Sequence, residues 1–311
     1  MMIFGILGNS LVIYVTTAHR RMRTPTNMLL LNLAVIDLLY IVINILYLLT
    51  SVIGVLPENK PVCKMAELSR LFGGPLTAYT LLLVSIVRYI VVVHPHRATT
   101  LVRTKTVGAL IAAIWLAISV ISVSVQICFP CAYQVPPPSD TLRIYHYSIF
   151  VYAYVIPLTL ITVFSVLTFR KLREPSFAAS KKSDDNKRRA SRMMAIVCAA
   201  FAVSLLLRHL VFIAPLYDHV TFNTFSTIAA FSIFLHFSNS CINPILYSFA
   251  SQEFRAHFRN AICCCCRQSR PSPTTRAGSL MTSTVFFRKS SSNTMLITIP
   301  SRRYSNLWRD Q

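Results

Sequence analysis

Residues 28–49 read MLLLNLAVIDLLYIVINILYLL, a run long enough to cross a hydrocarbon core and interrupted by one charge, Asp37. A bilayer core takes about 20 apolar residues as a helix. Similar blocks recur at 3–15, 65–93, 107–125, 147–169, 193–217 and 224–249. Only helices and closed barrels satisfy their backbone in lipid, and unbroken runs of this length are not the alternating strands of a barrel. The expectation is an all-α membrane protein with seven spans, helices covering about 1–18, 26–50, 62–94, 106–128, 145–171, 188–217 and 223–249. A short amphipathic eighth helix at 251–262 completes a 1–267 domain, and a disordered cytoplasmic tail occupies 268–311. The first block holds about 15 helical residues, a rise of roughly 22 Å against a core near 30 Å. It is therefore expected to be a helix shortened at its N-terminal, outer end. No signal-peptide pattern precedes it.

Composition agrees: 54% of residues are hydrophobic, 13% are charged and mean hydropathy is +0.55. A soluble domain of this length needs more charge on its surface. The net charge of +21 raises nucleic acid as a partner, but its distribution excludes it. Most of the 31 Lys and Arg fall near residues 20–23, 97–105, 170–192 and after 249, all on one side of the predicted spans, whereas the other side holds Lys60, Lys64 and Arg143. That asymmetry is the positive-inside rule, which puts these segments and the C-terminus in the cytoplasm of a multi-pass plasma-membrane protein. Anionic lipid of the inner leaflet is the partner of the basic face.

The nine cysteines divide by compartment. Cys63, Cys128 and Cys131 fall at outer ends, where disulfides form. Cys198 and Cys241 lie inside spans and read as small buried hydrophobes. Cys263, Cys264, Cys265 and Cys266 follow the amphipathic stretch on the reducing side, as S-palmitoylation targets do. Zinc sites space their ligand pairs, so four adjacent cysteines fit metal poorly.

Ionisable residues inside spans are costly and mark candidate sites. Asp37 is the deepest, with Asn9, Thr77, Asn239, Ser240 and Asn243 as candidate partners. Two readings stay open: a functional polar centre, or a hydrogen-bonded carboxyl that ties helices together. Arg70, Arg208 and His209 lie toward the outer half and could line one cavity suited to an acidic ligand. Alternatively, the arginines snorkel or pair with Glu67 and Asp218.

These residues fall into a pattern. Gly8-Asn9-Ser10-Leu11-Val12, Leu31-Asn32-Leu33-Ala34 with Asp37, Cys63 placed 25 residues before Arg88, Trp115, Pro157, and Asn243-Pro244-Ile245-Leu246-Tyr247 occur in order, each in its own block. Together they resemble the rhodopsin-like (class A) G-protein-coupled receptors. Asn239-Ser240-Cys241-Ile242-Asn243-Pro244, the stretch from Arg103 to Trp115, and Arg208-His209 resemble the galanin, allatostatin-A and kisspeptin group of peptide receptors.

The resemblance implies a Cys63–Cys131 disulfide, a switch built from Arg88, Tyr89, Asn243, Pro244 and Tyr247, and an allosteric sodium ion at Asp37. It implies an extracellular peptide ligand, a heterotrimeric G protein, and arrestin and receptor kinases acting on the tail. Agonist would then favour a state whose sixth span swings outward. Arg70 occupies the position where amine receptors keep an acid, and the seventh span has no lysine for retinal. Four departures fall on the switch. Val87 precedes Arg88 where the family has an acid, Lys187 stands at its partner position, Leu205 and Leu207 replace a Trp and a Pro of the sixth span, and Ser165 replaces a Tyr. An atypical or non-signalling receptor is thus a second reading beside drift with coupling retained. A transporter would show broken helices or repeats, and an enzyme would cluster its histidines and acids; neither pattern occurs.

Overall fold

The computed structural model describes residues 1–52, 60–128, 140–174, 181–213, 222–250 and 252–262. Among them the chain is helical throughout: α1 Met2–Ala18, α2 Pro25–Val52, α3 Lys60–Val93, α4 Pro95–Leu101, α5 Thr104–Cys128, α6 Asp140–Phe150, α7 Ile156–Arg173, α8 Lys181–Ile213, α9 Phe222–Ala250 and α10 Gln252–Ile262. A wider, π-type turn, Val151–Val155, joins α6 to α7, so residues 140–173 form one span. The architecture is a seven-helix membrane bundle, α1, α2, α3, α5, α6–α7, α8 and α9, with the short α4 and α10 at its edge. Pro25–Leu46, Leu71–Val93, Thr104–Ile127 and Arg143–Arg173 are each long and apolar enough to cross a bilayer.

Side chains are distributed as lipid requires. Phe4 (76%), Leu116 (68%) and Ile127 (76%) are largely exposed, a liability in water but the expected outer face in hydrocarbon. The interior holds both a packed apolar layer around Leu29, Val84, Val107 and Phe254 and an unusual share of buried Asn, Ser and Thr. Thr24 caps α2, its Oγ1 accepting the Asn27 N–H at 3.2 Å, with Pro25 at the first helical position, where no N–H is needed.

Beside the short α4 and the earlier start of the fifth span at Asp140, neither of which was expected, two further features depart from the sequence expectation. The sixth span continues downward to Lys181 instead of starting near 188, converting much of the basic connection 170–192 into helix; Lys, Arg and Ala in this stretch favour that state. Cys241 is half-buried, not a plain core residue, and its Sγ donates to the Met1 carbonyl at 3.3 Å.

Three prolines lie within or just past regular helix, and each frees a carbonyl that a neighbouring helix takes up. Pro75 in α3 has no N–H for the Leu71 carbonyl four residues back; Ser122 Oγ of α5 donates to it at 3.1 Å. Pro244 in α9 does the same to the Ser240 carbonyl, which accepts from Asn9 Nδ2 of α1 at 3.0 Å. In the wider turn the Ile156 N–H reaches back to the Val151 carbonyl. The Tyr152 carbonyl would next need the N–H that Pro157 lacks, and Tyr79 Oη of α3 donates to it at 3.1 Å. Inside a bundle a freed carbonyl has to find its donor on a neighbouring helix or at a cavity wall. Ser122→Ala should therefore lower stability by about 1–3 kcal/mol, the cost of one buried unpaired acceptor. A matched Ser124→Ala, on the exposed face of the same helix, should change the melting midpoint in detergent little.

Candidate functional site

The polar centre is built by α1, α2 and α9. Asp37 is 3% exposed, and its Oδ2 accepts from Asn243 Nδ2 at 2.8 Å. The Ser240 hydroxyl is within bonding reach of the same carboxyl. Asn9, wholly buried, uses Nδ2 for both the Gly5 carbonyl, at 2.9 Å, and the Ser240 carbonyl. Of the five partners named from the sequence, Asn243 and Ser240 meet Asp37, and Asn9 joins through the Ser240 backbone. Thr77 and Asn239 are buried, but among the described residues neither is bonded to Asp37. Asn9 Oδ1 and Asn243 Oδ1 are buried without a hydrogen-bond partner. Unpartnered amide oxygens on two helices of a centre that also holds a carboxyl are the kind of oxygen donor a hard cation takes, so the residue types present fit a sodium ion.

One turn above Asp37 on the same face, Tyr40 closes the centre off from a cavity. Its hydroxyl accepts from Arg208 Nη1 at 3.1 Å, and its ring meets His236 edge-on at a 4.6 Å centroid distance. Sequence reading had not singled out Tyr40, although its i+3 spacing from Asp37 places both on one side of α2. The cavity beyond has a volume of about 230 Å³. Leu71 and Pro75 of α3, Ser122 of α5, Tyr145 and Tyr152 of the fifth span, and Arg208 and His209 of α8 are among its walls. His209 packs edge-on against Phe150 at 5.4 Å and lies 5.9 Å from Tyr154. A mostly apolar cleft with a few convergent polar groups is how small ligands and side chains of peptides are held. It opens at the end of the bundle opposite the basic segments, since it uses the first half of α3 and the last half of α8.

At that other end, Arg88 and Tyr89 lie in the last turns of α3. The Tyr89 ring packs on Phe164 at 5.4 Å and on His94 at 5.5 Å. A second relay ties three spans: Trp115 Nε1 donates to Asn32 Oδ1 at 2.8 Å, and Asn32 Nδ2 donates to Thr80 Oγ1 at 2.9 Å. Cys63, Arg70, Lys187 and Tyr247 have helical backbones, but their side chains lie outside the described residues, as do Cys131 and the run Cys263, Cys264, Cys265 and Cys266.

A seven-helix bundle with a buried polar centre between a cleft at one end and an arginine at the other has the build of a membrane receptor. The chain belongs to the rhodopsin family of seven-transmembrane receptors: the family model described as 7 transmembrane receptor (rhodopsin family) matches residues 8–247. It is 31% identical over 278 residues to an Allatostatin-A receptor of Bombyx mori, a match covering 84% of this chain and 76% of that receptor. It is a class A receptor similar to the allatostatin-A kind.

Proposed function

We propose that this receptor binds an extracellular peptide in the cleft bounded by Tyr40, Arg208 and His209 and activates a heterotrimeric G protein at the cytoplasmic end, beside Arg88. The observation that carries the reading is the cleft itself, at the end facing away from the basic segments, in a chain similar to a receptor named for a peptide. The plasma membrane is its location, with α10 and the tail 268–311 in the cytoplasm, where arrestin and receptor kinases act on the tail's Ser and Thr. Cys63 pairs with Cys131 outside; Cys263, Cys264, Cys265 and Cys266 carry palmitate inside.

Ligand binding acts as a population shift: a peptide that packs better when α8 is displaced favours the state that admits the G protein. Asp37, Ser240 and the Oδ1 atoms of Asn9 and Asn243 would hold a sodium ion, which supplies a positive charge to Asp37 and ties α1, α2 and α9 together. Arg208 is the polar contact offered to the peptide, held in place by the Tyr40 hydroxyl. The test is a G-protein dissociation assay on cells displaying the chain, screened against a neuropeptide panel. Arg208→Ala should lower agonist potency at least about tenfold, the loss of one charge-assisted bond. Unchanged potency would remove Arg208 from the site.

The second reading, an atypical receptor, rests on Val87, Leu205 and Leu207. Leu205 is 3% exposed in the core and α8 runs without an internal proline. High dissociation without ligand that Val87→Asp suppresses would support it; low basal activity with a full agonist response would support ordinary coupling.

A further inference from the structure

Arg88 raises a question of charge. Its side chain is partly covered among α3, α7 and α8, its Nε is buried with no partner, and among the described residues the guanidinium makes no hydrogen bond or ion pair. The neighbouring Val87 supplies no acid. Glu174, the one acid described at the end of α7, is engaged by Lys171 at 2.5 Å and is exposed. Arginine does not lose its proton in proteins, so a half-buried guanidinium whose Nε is buried and unpaired draws a counter-charge.

Arg88 faces a small cavity of about 20 Å³, with Phe169 and Ala195 as apolar walls. Four hydroxyls border it, those of Ser85, Ser165, Thr168 and Ser191, but they are not equivalent. Ser85 Oγ donates to the Leu81 carbonyl at 3.0 Å and Thr168 Oγ1 to the Phe164 carbonyl at 2.7 Å, so both have spent their protons. Ser191, 6% exposed, has a buried Oγ with no partner, and Ser165 makes no hydrogen bond among the described residues. The cavity therefore combines a fixed positive charge with two hydroxyls that donate to no described group, that of Ser191 buried and that of Ser165 half-buried, contributed by three different helices.

We infer that this cavity is a binding site for a small monatomic anion of the chloride class, held by Arg88, Ser165 and Ser191. The volume decides the size class. It accommodates about one sphere somewhat larger than a water probe, too little for a phosphate, a sulfate or an acetate. Charge favours an anion over water, which would satisfy the hydroxyls without matching the positive charge beside the buried Nε. The anion supplies the counter-charge that the sequence lacks at position 87 and links α3 to α7 and α8. On the receptor reading above, on which this consequence rests, it favours the state in which α8 stays close to α3.

The test uses the full chain purified in detergent at constant sodium and constant ionic strength, with gluconate exchanged for chloride, so it does not depend on G-protein coupling. Chloride should raise the apparent melting midpoint by about 2–4 °C, the size expected for tenfold saturation of one site, with bromide close behind and acetate without effect. Excess ³⁵Cl NMR line broadening by the protein should accompany it. Arg88→Gln should remove both effects, and Ser191→Ala should weaken both; the second variant retains the charge and serves if the first folds poorly. Equal stabilisation of Arg88→Gln by chloride, an acetate effect as large as chloride's, or no anion effect on the parent chain would each overturn the site, the last leaving water as its only occupant. Loss of the anion effect with G-protein coupling intact, or the reverse, separates this inference from the receptor reading.

Discussion

Gly8→Leu is expected to abolish most of the mature receptor at the cell surface. A Cβ placed on Gly8 would lie 3.0 Å from Pro244 Cγ and 3.1 Å from its Cβ. The neighbour is a rigid pyrrolidine ring within α9, so it has no flexible end to swing aside. Alanine requires a shift of a few tenths of an ångström, whereas leucine must push α1 away from α9. Overpacking of this kind costs about 1–3 kcal/mol. Separation also breaks the 3.0 Å bond from Asn9 Nδ2 to the Ser240 carbonyl, adding about 1–3 kcal/mol for a buried acceptor left unpaired. The sum is a large part of the stability of an ordinary domain. Leu7→Phe, one residue away but on the lipid face where Leu7 is 63% exposed, should leave surface expression near the parent level. Glycosidase-independent surface labelling and the melting midpoint in detergent measure both. Parent-like expression of Gly8→Leu would mean that α1 and α9 do not approach as closely as the structure places them.

That same contact shows what the sequence could and could not disclose. The seven spans were legible because lipid leaves few options: a run such as 28–49 has to be a helix, and the charge asymmetry gives the direction expected of it. Gly8, Asn9, Asp37, Asn243 and Pro244 stood out as residue types. What lay out of reach was which donor serves which acceptor. That Pro244 frees the Ser240 carbonyl follows from covalent structure alone, but that Asn9 takes it up depends on the packing of helices far apart in the chain. Pro75 with Ser122, and Pro157 with Tyr79, repeat the pattern. Tyr40 was missed for a related reason: a tyrosine in an apolar span reads as filler until Arg208 and His236 arrive beside it. The helical extension to Lys181 was missed because a dense basic stretch reads as solvated loop when periodicity is the guide, although its residues individually favour helix.

At the polar centre, Asn243→Leu should cost more stability than removing both partners together. The single change leaves Asp37, 3% exposed, without the 2.8 Å bond to its Oδ2; about 1–3 kcal/mol is the usual cost of a stranded buried group, and more if it is charged. The Asp37→Leu/Asn243→Leu double variant has no carboxyl to strand, and apolar pairs of similar size are often close to neutral. The double variant should therefore melt above Asn243→Leu, a coupling that a double-mutant cycle reads directly. Sodium adds a second axis. With chloride fixed and choline exchanged for sodium, the parent should gain a few degrees in midpoint if Asp37 and the two spare Oδ1 atoms hold the ion, and Asp37→Asn should gain nothing. Both results are needed for the centre to be a cation site as well as a structural tie. If sodium stabilised Asp37→Asn as much as the parent, the ion would act elsewhere. If the double variant melted below Asn243→Leu, Asp37 would be held by partners other than the asparagine, and the buried oxygens of Asn9 and Asn243 would have a purely structural role.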